Sequence, residues 1–193
     1  MDAKVFDKIA ARMVECGTID AEDKEIYEFG LKYIADMILN FATTLIIGFI
    51  FGMVWQGILF TASYIPLRSY AGGYHARTPL RCYIFSVVVT VCVLLGLKYL
   101  PYCNVLLAAT AVSGILLFVF APVGDENKPL DEIETKVFKK RARVVLFFEM
   151  GLICLFTFLD LRSVASCIAA SVCLAGLAVV LGKVKNKLNE GKR

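Results

Sequence analysis

Apolar residues along this 193-residue chain come in long blocks rather than at amphipathic spacing. Six windows, 34–54, 56–71, 82–100, 104–121, 144–161 and 163–182, are nearly free of charge, and the charged residues bunch between them. A helix that crosses a bilayer needs about 20 predominantly apolar residues, because every backbone polar group must be satisfied within the segment. The pattern therefore predicts an all-α, polytopic membrane protein with about six transmembrane helices. The second window is short and carries Arg68 near its end, so a full span and a re-entrant one both fit it. Ahead of the windows, Val5, Phe6, Ile9, Met13 and Val14 recur at helical spacing between Lys4, Asp7, Lys8, Arg12 and Glu15. That spacing predicts an amphipathic helix on the membrane surface or against the spans. A second segment begins near Asp20, whose carboxylate is placed to cap it. The stretch MDAKVFDKIAARMVECGTIDAEDKE is too charged throughout for a secretory signal. One membrane domain is expected: an amphipathic segment at 1–32, a bundle at 33–182 and a basic tail at 183–193.

Composition agrees, since 59% hydrophobic and 20% charged residues leave too little polar surface to enclose a soluble core. Charge then sets orientation. Short cytoplasmic segments hold the excess of Lys and Arg. With six spans and both termini inside, nineteen of the twenty-one cations fall on the cytoplasmic side and only Lys98 and Arg162 fall outside. Trp55, Tyr99 and Tyr102 form an aromatic belt on the outer face under the same topology. A multi-pass protein of the plasma membrane is expected. Lys139, Lys140, Arg141, Arg143 and the basic tail read as contacts to anionic lipid or as a field that steers an acidic substrate, and no nucleic-acid partner is expected. Gly48 and Gly52 form a GxxxG pattern that permits close helix packing, within one chain or between two.

The seven cysteines are odd in number and contain no CxxC pair. Five of them (Cys92, Cys103, Cys154, Cys167, Cys173) fall in or beside apolar windows, where a thiol acts as a small hydrophobe. Cys82 is different. It closes the stretch RSYAGGYHARTPLRC, which also holds the only histidine. Gly72 and Gly73 end the second apolar helix and allow close backbone approach. Thr78 as N-cap with Pro79 at the first helical position predicts that a new helix starts there, with Cys82 in its first turns. A helix N-terminus and nearby cations both favour the thiolate. Arg68, Arg77 and Arg81 supply those cations, and no Asp or Glu occurs between Asp36 and Asp125. His75 is the one available base for a Cys–His pair. Glu149 and Asp36 are candidates to orient the imidazole, and Glu149 also to pair with Arg68, although simple snorkelling or a structural ion pair is the plainer reading of each. Zinc would want about four convergent ligands, and this loop offers two, so no metal or other cofactor is expected. The residues alone point to a membrane-embedded cysteine peptidase or acyltransferase. The alternative is a small non-enzymatic transporter or peptide-export partner with a cationic binding loop, although Glu149, Asn40 and a few hydroxyls offer little polar path.

Arg68, Gly72, Gly73, His75 and Cys82, in the arrangement R-x-x-x-G-G-x-H-x-x-x-x-x-x-C, resemble the signature of the accessory gene regulator B (AgrB) family, membrane peptidases of bacterial quorum sensing. The stretch APVGDENKPLDEIE is similar to that family's second recognisable segment. The resemblance implies that Cys82 is the nucleophile and His75 the base. The substrate would be a propeptide with an amphipathic N-terminus and an acidic C-terminal tail. Cleavage near its C-terminal side would leave the N-terminal part as a thioester on the enzyme, and a nucleophile within the peptide would then close a thiolactone or lactone ring. The resemblance also implies a homodimer.

The charge asymmetry predicts that, with native cysteines removed, a membrane-impermeant thiol reagent on intact cells labels a cysteine placed at Asn104 and spares one placed at Lys128. The reverse pattern would put the histidine–cysteine stretch outside the cell.

Overall fold

The computed structural model describes residues 3–74, 78–100, 104–124 and 131–190, which are predominantly helical with no β-strand among them. The helices are α1 (Ala3–Glu15), α2 (Lys24–Phe51), α3 (Val54–Ala71), α4 (Pro79–Tyr99), α5 (Asn104–Phe120), α6 (Glu132–Phe158) and α7 (Arg162–Glu190). Three stretches, Ala21–Phe51, Leu80–Tyr99 and Arg162–Asn189, are long and apolar enough to cross a membrane, and Asn104–Phe120 is a shorter apolar helix. The windows predicted at 56–71 and 144–161 fall on α3 and the C-terminal part of α6.

Residues 1–43 and 44–193 form two compact units. In the first, α1 buries Phe6 and Ala10, one turn apart on one face, while Asp7 and Lys8 are exposed. The helix stops at Gly17, whose φ of 66° lets Thr18 N donate to the Met13 carbonyl and Gly17 N to that of Val14. Lys24 at the start of α2 pairs with Asp7 at 2.7 Å. Asp20 stands at the N-cap of a single 3₁₀ turn, Ala21–Asp23, and its side chain makes no capping bond, contrary to expectation. Its backbone carbonyl accepts from Asp23 N instead.

In the second unit α7 is the central helix, packed against α3, α5 and α6 and more briefly against α4. Its sequence explains why. Ala165, Ala169, Val172, Ala175, Gly176 and Val179 are all buried, and side chains this small let neighbouring backbones come close. A Cβ on Gly176 would stand 2.7 Å from the Cβ of Ser113 on α5. Leu67, Leu117, Leu146, Ile153 and Ile168 complete the core around this axis. The outward surface is apolar: Phe49, Ile50, Val105, Phe147, Phe148 and Phe158 are all more than three-fifths exposed. So many large apolar side chains left exposed on apolar helices have lipid as their natural solvent.

Two charged segments are more ordered than the sequence suggested. α6 begins at Glu132, well before the window at 144, because Asp131 and Glu134 form a reciprocal capping box. Lys136 to Arg143 are therefore helical, and α7 likewise continues through most of the basic tail. The GxxxG pattern resolves within the chain. Gly52 (φ 68°) is the turn residue that ends α2, and Gly48 leaves room for that turn, since a Cβ there would lie 3.1 Å from the Val54 Cα.

The close α5–α7 contact predicts that Gly176→Leu overpacks the bundle and destabilises it by about 1–3 kcal/mol, read as a lower melting temperature of the purified protein in detergent. Gly151→Ala, at a position with open space on all sides, leaves the melting temperature unchanged or slightly raised.

Candidate active site

The site is built around the end of α3. Gly72 N donates to the Arg68 carbonyl at 3.1 Å, closing the helix. Gly72 itself adopts φ 67°, ψ −143°, a conformation open to glycine and strained for other residues. From there the chain is held on two sides. Gly73 N donates to the Val123 carbonyl (3.1 Å) and Val123 N to that of Ala71 (2.9 Å), so residues 71–73 run as a parallel bridge beside the segment that follows α5. Tyr74 N donates to the Ala178 carbonyl on α7 at 2.8 Å. The paired glycines are a steric requirement. A Cβ on Gly72 would collide with the Val123 carbonyl oxygen, and one on Gly73 (φ 115°) would stand 2.6 Å from the Ala178 oxygen. Gly182 makes the matching gap on α7, where a Cβ would lie 2.7 Å from the Gly73 carbonyl carbon.

Arg68 is the strap across this turn. Its guanidinium donates to the Gly72 carbonyl and, at 2.6 Å, to the Tyr74 carbonyl. Tyr74 directly precedes His75, so the arginine fixes the backbone from which the histidine departs. A planar fork with several donors suits two carbonyls that an ammonium group would bridge poorly. Tyr64, one helical turn earlier on α3, lies close enough to Arg68 and Cys82 to interact with both electrostatically. Tyr64 was not among the residues singled out by sequence, although its i, i+4 spacing from Arg68 was a visible signal.

Across the gap, α4 starts as expected. Thr78 is the N-cap, its hydroxyl accepts from Arg81 N at 3.4 Å, and Pro79 is the first helical residue. Cys82 N bonds to the Thr78 carbonyl at 3.0 Å, which sets the partly exposed thiol at the start of the helix. The Tyr74 ring packs against Phe85, one turn along α4, with Lys185 of α7 over it at 5.5 Å. Arg141 stands over Tyr70, Arg143 over Phe118 and Lys183 over Phe120, so a ring of cations lies on aromatic faces at this end of the bundle. Asn186 donates to the Gly124 carbonyl and ties α7 to the segment after α5.

Arg68, Gly72, Gly73 and Cys82 thus fall around one turn, and Arg81 is exposed in the first turn of α4. His75 and Arg77 lie outside the described residues. Glu149 is separate from this group. It is buried to 3% exposure on α6, close to Ser171, whose hydroxyl donates to the Ile168 carbonyl at 2.8 Å. Its second oxygen has no partner, and no cation pairs with it among the described residues, so the candidate pairing with Arg68 is not formed there. Arg68 is instead engaged by backbone carbonyls. Asp36 is an exposed residue in the other unit.

A helical membrane protein that locks a double-glycine turn beside a cysteine at a helix start defines the class. The accessory gene regulator B family model matches residues 6–180, and the chain belongs to that family. An AgrB-like protein 2 of Clostridium perfringens (strain 13 / Type A) is 27% identical over 132 residues, which cover 64% of this chain and 60% of the relative. An AgrB-like protein of Listeria monocytogenes serotype 4a (strain HCC23) is 28% identical over 147 residues, covering 74% of this chain and 72% of the relative. The match to the Clostridium relatives spans 60% of their length. No solved structure matches the chain.

The strap geometry predicts slow hydrogen exchange at the amides of Gly73 and Tyr74. Arg68→Lys and Gly182→Val should each speed exchange in the peptide covering 72–74 by about tenfold, the equivalent of one or two lost hydrogen bonds, as read by mass spectrometry. Gly151→Ala should leave it unchanged. Equal exchange in all four proteins would mean that the strap holds nothing.

Proposed function

We propose that this chain is a membrane-embedded cysteine endopeptidase that cleaves a quorum-sensing propeptide and passes the N-terminal fragment through a thioester on Cys82 to ring closure. The observation that carries this reading is the locked turn, which fixes the chain entering His75 from one side while Thr78 and Pro79 fix Cys82 from the other.

In this reading His75 takes the proton of the Cys82 thiol, and the thiolate attacks the scissile carbonyl. The C–N bond breaks, and the imidazolium returns its proton to the departing amine. The N-terminal fragment remains as a thioester. A cysteine or serine within that fragment then attacks the same carbonyl, the Cys82 thiol is released, and the ring closes as a thiolactone or lactone. Exchange between thioesters is nearly neutral in free energy, so the first step alone requires a pull, which removal of the acidic C-terminal fragment supplies. Lipid around the site keeps water from the intermediate and holds the amphipathic part of the substrate close. The cations seated on Tyr70, Tyr74, Phe118 and Phe120 suit an acidic tail. The working unit in this reading is a homodimer, with the site facing the cytoplasm.

Replacing Cys82 with alanine should abolish cleavage of a co-expressed propeptide, while Cys92→Ala and Cys167→Ala leave it intact. His75→Ala should slow cleavage by about a hundredfold or more, because the chain holds no second histidine. Full cleavage by the purified Cys82→Ala protein in liposomes would remove the assignment and favour a carrier that binds its peptide without covalent chemistry.

A further inference from the structure

The two cations that the charge count separates from the other nineteen meet at one place. Lys98, at the end of α4, and Arg162, at the start of α7, line a cavity of about 460 Å³ together with Gln56 from the first turn of α3 and with Ser163 and Ser166, the latter's hydroxyl donating to the Arg162 carbonyl at 2.9 Å. Met53, Leu97 and Cys167 give it apolar walls. The cavity lies at the opposite end of α3, α4 and α7 from the glycine turn, because Gln56 opens the helix that Arg68 closes.

The polar groups have unused capacity. Lys98 Nζ gives one of its three hydrogens to the Phe51 carbonyl at 3.2 Å. Arg162 uses its Nε on Asp160 at 2.7 Å, and its two terminal nitrogens make no protein hydrogen bond among the described residues. The Oε1 of Gln56 is buried with no partner. A buried amide oxygen left without a donor is costly. Lys98, Arg162 and Asp160 together leave a single net positive charge. That charge suits a singly charged phosphodiester better than a dianionic free phosphate. The orphan oxygen asks for a hydrogen-bond donor beside that phosphate. At the rim, Tyr99 and Leu100 are 72% and 73% exposed and Trp55 is half exposed. Such a mixed aromatic and apolar surface is of the kind found at headgroup depth.

We infer that this cavity binds one phospholipid through its headgroup, with the phosphodiester on Lys98 and Arg162 and a headgroup hydroxyl donating to Gln56, as a phosphatidylglycerol would allow. The lipid ties α3, α4 and α7 together at the end away from Cys82, and its binding is independent of the chemistry at the cysteine.

Trp55 is the only tryptophan and sits next to Gln56, so its fluorescence reports on the site. The full chain, purified in a neutral maltoside detergent, is titrated with short-chain phosphatidylglycerol, short-chain phosphatidylcholine and inorganic phosphate, and retained lipid is counted by native mass spectrometry. A saturable change with phosphatidylglycerol and one retained molecule, with phosphatidylcholine much weaker, is the expected result. Lys98→Gln with Arg162→Gln should weaken binding about twenty-five-fold, at roughly fivefold for each cation. Gln56→Leu keeps both charges and should narrow the preference for phosphatidylglycerol over phosphatidylcholine. Equal responses to the two lipids, or no retained lipid, overturn the inference. Saturation by inorganic phosphate at the same concentrations assigns the site to a free anion and overturns it as well. If the double variant does not fold, the headgroup series on the unaltered protein decides.

Discussion

Backbone meets backbone at Gly73 and Gly182, and the functional end of the bundle is organised around that contact. With no side chain on either residue, the turn after α3 lies directly on α7, close enough for Tyr74 N to reach a helical carbonyl at Ala178. The same approach brings the turn alongside Val123, and two further backbone bonds close the bridge. Polar backbone near a membrane must find partners within the protein, and here three segments distant in sequence satisfy one another. Arg68 completes the arrangement from within α3 by holding carbonyls that the turn leaves open. The motif glycines therefore serve packing first. The packed turn also fixes the backbone through Tyr74, at the point where the chain continues to His75.

The double glycine, the Thr78–Pro79 start and the position of Cys82 were legible in the sequence, since each follows from local rules about φ, capping and helix dipoles. The function of Arg68 was not. Sequence counted it as a cation near a thiol, whereas in the structure its donors go to main-chain carbonyls. Glu149 shows the opposite failure. A carboxylate in an apolar window invites a cation as its partner, but the small residues of α7 bring Ser171 to it instead. Both outcomes depend on which helices become neighbours, and no single-chain pattern of charges encodes that.

The second motif gains a physical meaning from the same contact. Ala121 to Glu134 resembled a family segment in sequence without an evident role; its start, residues 121–124, proves to be the strand-like partner of the glycine turn, and its end, Asp131 to Glu134, caps α6. Helix boundaries were legible where apolar windows end at Gly or Pro. They were less so where charged residues continue a helix, as in the first turns of α6, whose capping box lies outside the apolar window. Span counting shares this limit. Three helices qualify by length and composition, while α3 and α6 mix their apolar surface with residues that belong to the site and to its cationic rim.

Covalent capture tests the central claim most directly. With a propeptide whose internal nucleophile is replaced by alanine, the account predicts an enzyme adduct whose mass equals the N-terminal fragment, located on Cys82 and released by neutral hydroxylamine as the peptide hydroxamate. If cleavage proceeds at its normal rate in hydroxylamine and yields only the free carboxylate, with no adduct and no hydroxamate, water is the attacking group and Cys82 is not the nucleophile.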